Sequence, residues 1–296
     1  MSAAGPSQGA RPPGGERRAA PSGGEHAIAA IATSTGLEWH RFTRGQRLAR
    51  FVVHLAIVAA IVVSAQSVEI IPEFLADAPE QMVDLFSRMW PVDWSHYEGS
   101  VHSALMETIH IASLGTLLAL ILALPVGVLA AHNLVPFTPL NLLAKLILVS
   151  SRSVNSLVWA LLFVGIFGPG ALAGTLAIAF RSIGFVGKLF GEALEEAYPG
   201  PIEALTAAGA PWMSRMTFGY WPQVRPAFWS IALFRWDINV RESAVLGLVG
   251  AGGIGMALDA ALNLFQWDRV ALILIAIVVI VIVAEVVVTQ VRKRVI

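Results

Sequence analysis

Apolar residues along this chain fall in long blocks instead of alternating with polar ones. The blocks cover Phe51–Val68 and residues 101–131, 140–168, 171–198, 223–249 and 267–291. A membrane-spanning helix needs about 20 mainly apolar residues, and each block meets that length. The pattern therefore predicts an all-α, polytopic membrane protein with about six transmembrane helices, the first over residues 49–68. Two stretches differ. Residues 1–48 open on a Gly-, Pro-, Ser- and Arg-rich run that cannot bury enough apolar surface to offset chain entropy, so a disordered tail is expected. Residues 69–99 are polar and acidic, with Glu69, Glu73, Asp77, Glu80, Asp84, Asp93 and Glu98 against Arg88 alone. Within them Leu75, Met82, Val83, Leu85 and Phe86 predict a short amphipathic helix on the membrane surface.

Composition agrees with the blocks. Only 14% of residues are charged and 56% are hydrophobic, whereas soluble domains carry about 25% charged residues. Cysteine is absent, which excludes disulfides, thiolate metal sites and cysteine nucleophiles. The formal net charge is zero, which argues against nucleic acid as a partner. The distribution of charge says more. Arg41, Arg44, Arg47 and Arg50 precede the first block, and Arg292, Lys293 and Arg294 follow the last. Basic flanks favour the cytoplasmic side, and an even helix count puts both termini there. The acidic segment and residues 250–266 are then external, and residues 132–139 and 199–222 internal. Val63-Ser64-Ala65 resembles a cleavage site, but the long polar stretch before the first block suits an anchor better than a signal peptide. Trp39, Trp90, Trp94 and Trp267 fall near the expected interfaces, where indole rings anchor well.

The internal segment carries the most specific pattern. Glu203, Ala204, Gly209 and Pro222 stand at the spacing of the "EAA" loop: Glu-Ala-Ala, three residues, Gly, nine residues, Ile, one residue, Leu-Pro. Leu205, Gly219 and Trp221 replace the second Ala, the Ile and the Leu. The loop resembles that of binding-protein-dependent ABC importer permeases. Glu107-Thr108-Ile109-His110-Ile111-Ala112, the run Arg152–Val164 and the run Arg241–Gly255 are similar to segments of phosphonate-importer permeases, the PhnE group. Systems for phosphite or phosphate share much of this pattern. The resemblance covers residues 100–292 as one permease domain. It implies a type I ABC importer permease in a bacterial cytoplasmic membrane, working as a homodimer with a separate ATPase subunit and an extracytoplasmic binding protein. It also implies that the loop over 199–222, with Glu203, Ala204, Gly209 and Pro222, docks on that ATPase. Gly209 would allow a backbone reversal between two short helices, and Pro222 suits the first turn of the next helix. No cofactor is expected on the chain, because ATP would bind the partner. Gly184-Phe185-Val186-Gly187-Lys188 is too short for a phosphate-binding loop, and Leu189 follows the lysine. A membrane enzyme or an assembly protein remains the reading outside this class, although no catalytic set stands out.

Charges within the blocks need a partner or a purpose, since each costs about 2.5–3.5 kcal/mol at mid-membrane on insertion scales. At 1.5 Å per residue, Arg152, Arg181 and Arg235 each lie on the order of 15–20 Å from a helix end. Helical spacing puts Arg235, Asn239 and Glu242 on one face, and Asp237 and Arg241 on the other as an i,i+4 pair. The first set either lines a translocation path for an anion, with Arg152 and Arg181, or pairs its charges between helices. Lys145 and Lys188 are expected to reach the headgroups, and Glu285 to face a neighbouring helix. His54 and His110 read as packing residues, with no metal pattern. Gly250, Gly252, Gly253 and Gly255 satisfy G-x-G-x-x-G, yet no strand precedes them, so a nucleotide loop is excluded. A flexible external turn or gate is expected there.

Overall fold

The computed structural model describes residues 43–68 and 72–295, and among them it is helical with no strand. The expected tail falls outside the described residues as far as Phe42, as do Trp39, Arg41 and Glu69. The chain divides into two compact units after Leu75. In the first, α1 (Arg44–Ser67) begins where the Thr43 N–H donates to Gln46 Oε1 at 3.2 Å. All its residues are exposed, Phe51, Leu55 and Ile61 among them. A helix apolar on every side and exposed on every side is suited to lipid. His54 turns back to the Arg50 carbonyl at 2.6 Å, within its own helix.

The amphipathic helix expected in the acidic segment is α2 (Pro72–Met89), with Phe74, Leu75, Met82 and Phe86 exposed. Beyond it, hydrogen bonds from the Ser95 hydroxyl and then from its backbone N–H hold the Asp93 carboxyl below the ordinary aspartate range. A π-turn over Tyr97–Val101 leads into α3 (His102–Ala130). Then come α4 (Thr138–Ser153), α5 (Ser156–Phe167), α6 (Ala171–Glu195), α7 (Pro199–Ala207), α8 (Trp221–Leu246), α9 (Ile254–Asn263) and α10 (Trp267–Val295).

The block over 140–168 is not one straight helix. It breaks between α4 and α5 with a bend of 92°. The cause is local: Asn155 is in extended conformation and its side chain accepts from the Leu157 N–H at 3.2 Å, capping a new helix. Five described helices or helical runs are long and apolar enough to span, and six spans result if α4 and α5 form one. Packing direction decides this. A Cβ on Gly115 of α3 would meet Ile178 of α6, and one on Gly127 would meet Gly187 and Phe190. The contacts rise together, so α3 and α6 run parallel. The chain between them therefore crosses back once, as a single bent span.

The second unit is built around α6. Its buried positions include Ala173, Gly174, Ala177, Ala179, Gly184, Gly187 and Gly191, distributed around the helix. Small residues let helix backbones approach closely, which is how helices gain contact where lipid offers no hydrophobic drive. Along α3 the matching stripe is Thr108, Ala112, Thr116, Ala119, Ala123 and Gly127, recurring every three or four residues. The end of α4 packs across the middle of α6 at Gly184. The Ser151 hydroxyl there donates to the Phe180 carbonyl and accepts from the Gly184 N–H at 3.2 Å, joining α4 to the α6 backbone. A Cβ at Gly184 would lie 2.9 Å from Arg152 N and 3.0 Å from Arg152 Cβ. Gly184→Val should therefore push α4 away and cost about 1–3 kcal/mol, as overpacking does. A lowered thermal unfolding midpoint of the purified chain in detergent checks this; an unchanged midpoint would mean that α4 does not need the close approach.

Candidate functional site

The arginine positions converge at the centre of the second unit. Arg181 on α6 and Arg235 on α8 both pair with Glu242, the latter at 3.3 Å. Arg235 is 4% exposed, so its charge is answered inside the protein. Its Nε donates to Ser182 Oγ at 2.8 Å, and its guanidinium lies 5.5 Å from the centre of the Phe185 ring. Ser182 Oγ donates in turn to Asn239 Oδ1 at 3.2 Å, and Asn239 Nδ2 donates to Thr116 Oγ1 at 2.7 Å. Thr116 completes the chain by donating to the Ala112 carbonyl at 2.6 Å. The network thus ties α3, α6 and α8 together with each polar side chain partnered. On the other side of α8, Asp237 and Arg241 form the i,i+4 pair that their spacing predicts, at 2.5 Å.

Arg152 differs from its expected place. It sits in the last turn of α4, beside the break, and not deep within a continuous helix. It makes no ion pair among the described residues. With Ser153, Arg181, Phe185 and Arg235 it lines a cavity of about 320 Å³. Three arginines therefore line one space, and among the described residues Glu242 pairs with two of them, Arg181 and Arg235. Such a site suits an anion of more than one charge with several acceptor oxygens, because guanidinium forks match oxyanion geometry. Glu285, expected to face another helix, is exposed on α10.

The segment over 199–222 forms a separate feature. Helix α7 ends with the Gly209 N–H bonded to the Thr206 carbonyl and the Ala210 N–H to the Leu205 carbonyl, both at 3.0 Å. That pattern is the Schellman close, and it needs a left-handed residue: Gly209 has φ +72°. Glu203 and Ala204 are exposed, while Ile202 and Leu205 face Gly219. The two short helices expected here are one short helix and one long one. A turn at Trp212–Ser214 runs through a π segment, Arg215–Tyr220, straight into α8. The Trp221 N–H bonds back five residues to the Met216 carbonyl, a wider turn than the α-helix makes. Pro222 follows at the first turn of α8. Gln223 holds the junction. Its Oε1 accepts from the Tyr198 N–H at 2.9 Å, and its Nε2 donates to the Gly219 carbonyl at 2.8 Å and the Tyr198 carbonyl at 3.3 Å. Sequence reasoning passed over Gln223; a polar side chain directly after the loop's proline was the available signal.

The four glycines after α8 form a packed turn. Gly250, Gly252 and Gly253 have φ of +84°, +84° and +73°, and residues 251–255 are buried. The Gly170 N–H donates to the Gly250 carbonyl at 2.9 Å, and the Ile254 N–H to Thr108 Oγ1 at 2.8 Å. Gly255, in the first turn of α9, lies against the backbone of Gly247. The segment over 250–266, expected as an external connection with a flexible glycine turn, contains a helix, because its apolar Ile254, Ala257, Leu258 and Ala261 pack with α3, α8 and α10.

Residues 123–296 match the family of binding-protein-dependent transport system inner membrane components. The chain belongs to that family. A phosphite transport system permease, PtxC, from Stutzerimonas stutzeri is 40% identical over 187 residues, covering 63% of this chain and 68% of that protein. A phosphate-import permease, PhnE, from Mycolicibacterium smegmatis is 36% identical over 234 residues, covering 79% of this chain but 44% of that one. Among solved structures, a chain of the MetNI methionine ABC transporter in an inward-facing conformation superposes with a TM-score of 0.59 at 22% identity, covering 66% of this chain and 96% of that one. The shared fold is that of type I ABC importer permeases. This permease component is accordingly a multi-pass inner-membrane protein and the membrane-spanning part of an ABC importer, not an enzyme.

Removing the shared carboxylate tests the network. Glu242→Gln leaves two guanidinium groups with no counter-charge, which should cost about 3–5 kcal/mol. The measurement is the thermal unfolding midpoint in detergent; retention of the wild-type midpoint would show that the arginines do not depend on Glu242.

Proposed function

We propose that this permease component carries phosphonate, or a related phosphorus oxyanion such as phosphite or phosphate, into the cell by alternating access. The observation that carries the reading is the cavity shared by Arg152, Arg181 and Arg235. Glu242 is the one carboxylate paired with its arginines among the described residues, and Arg152, in no ion pair there, has a guanidinium free for a ligand. The names of the relatives point to the same class of solute.

In this reading two copies of the chain form the pathway and both termini lie in the cytoplasm. A binding protein delivers the anion at the outer face. A separate ATPase binds ATP and docks on residues 199–222, where exposed Glu203 and Ala204 offer a charge and a slim surface. Gln223 and the unbroken run from Trp212 into α8 carry the motion of the docked loop toward Arg235. The packed turn at Gly250, Gly252, Gly253 and Gly255 acts as the outer gate, since α3, α6 and α9 meet there.

Two outcomes are expected. Arg152→Gln should lower uptake of radiolabelled phosphite, phosphate or methylphosphonate by about tenfold or more, with ATP hydrolysis by the assembled transporter retained; uptake at the wild-type rate would remove the anion role of the cavity. Gly209→Val should abolish uptake while the chain still inserts, because a β-branched residue at positive φ opens the loop turn. Gly209→Asn should retain most uptake, since asparagine tolerates the left-handed region. Full uptake by Gly209→Val would overturn the coupling role.

A further inference from the structure

Below the arginine cavity lies a second one of about 220 Å³, and Arg152 lines both. Lys145, Lys188, Glu192 and Glu195 line the second. The cations follow a rule of spacing. Lys145 and Arg152 on α4 are seven residues apart, as are Arg181 and Lys188 on α6. Seven residues is close to two helical turns, so each pair lies on one face, about 10 Å apart along its axis. The two helices cross in opposite senses, since Leu148 meets Gly187 while Arg152 meets Gly184. Arg152 thus stands beside Arg181, and Lys145 shares its cavity with Lys188. The result is a ladder of two cationic rungs, with Arg235 behind the upper one.

Both lysines are exposed, as snorkelling side chains are, and in addition they share one cavity with Arg152. Resting on the anion reading above, we propose that Lys145 and Lys188 form an exit station, to which a phosphorus oxyanion passes from Arg152 on its way to the cytoplasm. The two rungs differ in strength. Around the upper cavity three cations meet one carboxylate. Around the lower one Lys145 and Lys188 meet two carboxylates, Glu192 and Glu195, with Arg152 shared between the two cavities, and Lys188 already pairs with Glu192 at 3.2 Å. That pair is half-exposed, so it holds weakly and gives way to an incoming dianion. The anion moves from a strongly cationic place to a weaker one and is then released. Lys145 makes no ion pair among the described residues and is free to follow it.

The same phosphate chemistry could come from a lipid headgroup, and the experiment separates the two. The full chain, assembled with its ATPase and binding protein, is reconstituted in vesicles of phosphatidylcholine alone and with phosphatidylglycerol added. Uptake of radiolabelled phosphite, phosphate and methylphosphonate is measured. The double variant Lys145→Gln/Lys188→Gln should lose about fivefold or more in maximal uptake rate in both vesicles. The concentration for half-maximal uptake and the stimulated rate of ATP hydrolysis should be unchanged, and Lys145→Arg/Lys188→Arg should recover most of the rate. Wild-type uptake by the glutamine variant overturns the exit station. A deficit that appears only with phosphatidylglycerol also overturns it and makes the cavity a lipid site. If the wild-type assembly imports none of the three anions, the functional reading itself fails, which is a different readout from a variant that matches the wild type.

Discussion

Keeping a guanidinium inside a membrane protein is the constraint on which this structure turns. Arg235 is almost wholly buried, and its charge demands a partner on a neighbouring surface. Glu242, two helical turns further along α8, supplies the counter-charge and draws Arg181 of α6 to the same place. Ser182, Asn239 and Thr116 then satisfy the remaining polar atoms and reach α3. Three helices are thereby fixed in register by one polar chain. An isolated helix with these residues would be costly to insert, and the network removes that cost only when all three helices are present. The charges therefore serve the fold, and Arg152 alone among the three arginines is spared that duty.

Close packing makes the arrangement possible. Glycine and alanine around α6 bring α3 and α4 near enough for backbone to touch backbone, which is the gain available between helices in lipid. Gly184 is the clearest case. The absence of a Cβ lets α4 end against α6, and the Ser151 hydroxyl enters the α6 hydrogen-bond ladder there. The bend at Asn155 follows at once and turns α5 away. Arg152 owes its position to this junction, since it is held by the backbone of its own last turn and not by an ion pair.

The spans were legible because their signal is long and additive: twenty apolar residues outweigh any local irregularity. The i,i+4 pair of Asp237 and Arg241 and the shared face of Arg235, Asn239 and Glu242 were legible too, being properties of one helix. What spacing within a helix does not encode is which helix lies opposite. The link of Arg181 to Glu242 and the meeting of Arg152 with Arg235 are of that kind. The break at Asn155 had a local signal: polar residues from Ser150 to Ser156, interrupted by Val154 alone, inside an apolar block, with Asn155 suited to cap a helix. The glycine run after α8 read as a turn correctly. Its burial did not show, because glycine's composition is the same in an open loop as in one that packs backbone against backbone.

The loop over 199–222 and the arginine cavity share one structural element. From Trp212 to Leu246 the chain stays helical, changing register at the π segment without a break. A proline at position 222 would ordinarily threaten this continuity, because its ring crowds the carbonyl four residues back. The wider π turn immediately before it loosens that crowding, and Gln223 bonds the Gly219 carbonyl that lies four residues before it. The same side chain holds the entry to α7 through Tyr198. Hydrogen bonds of Gln223 thus tie the loop to the base of α8. At 1.5 Å per residue, Arg235 lies about 20 Å further along that same helix, beyond Pro226 in its interior. Loop and cavity are joined by one continuous helix, since the helix that ends the first carries a wall of the second.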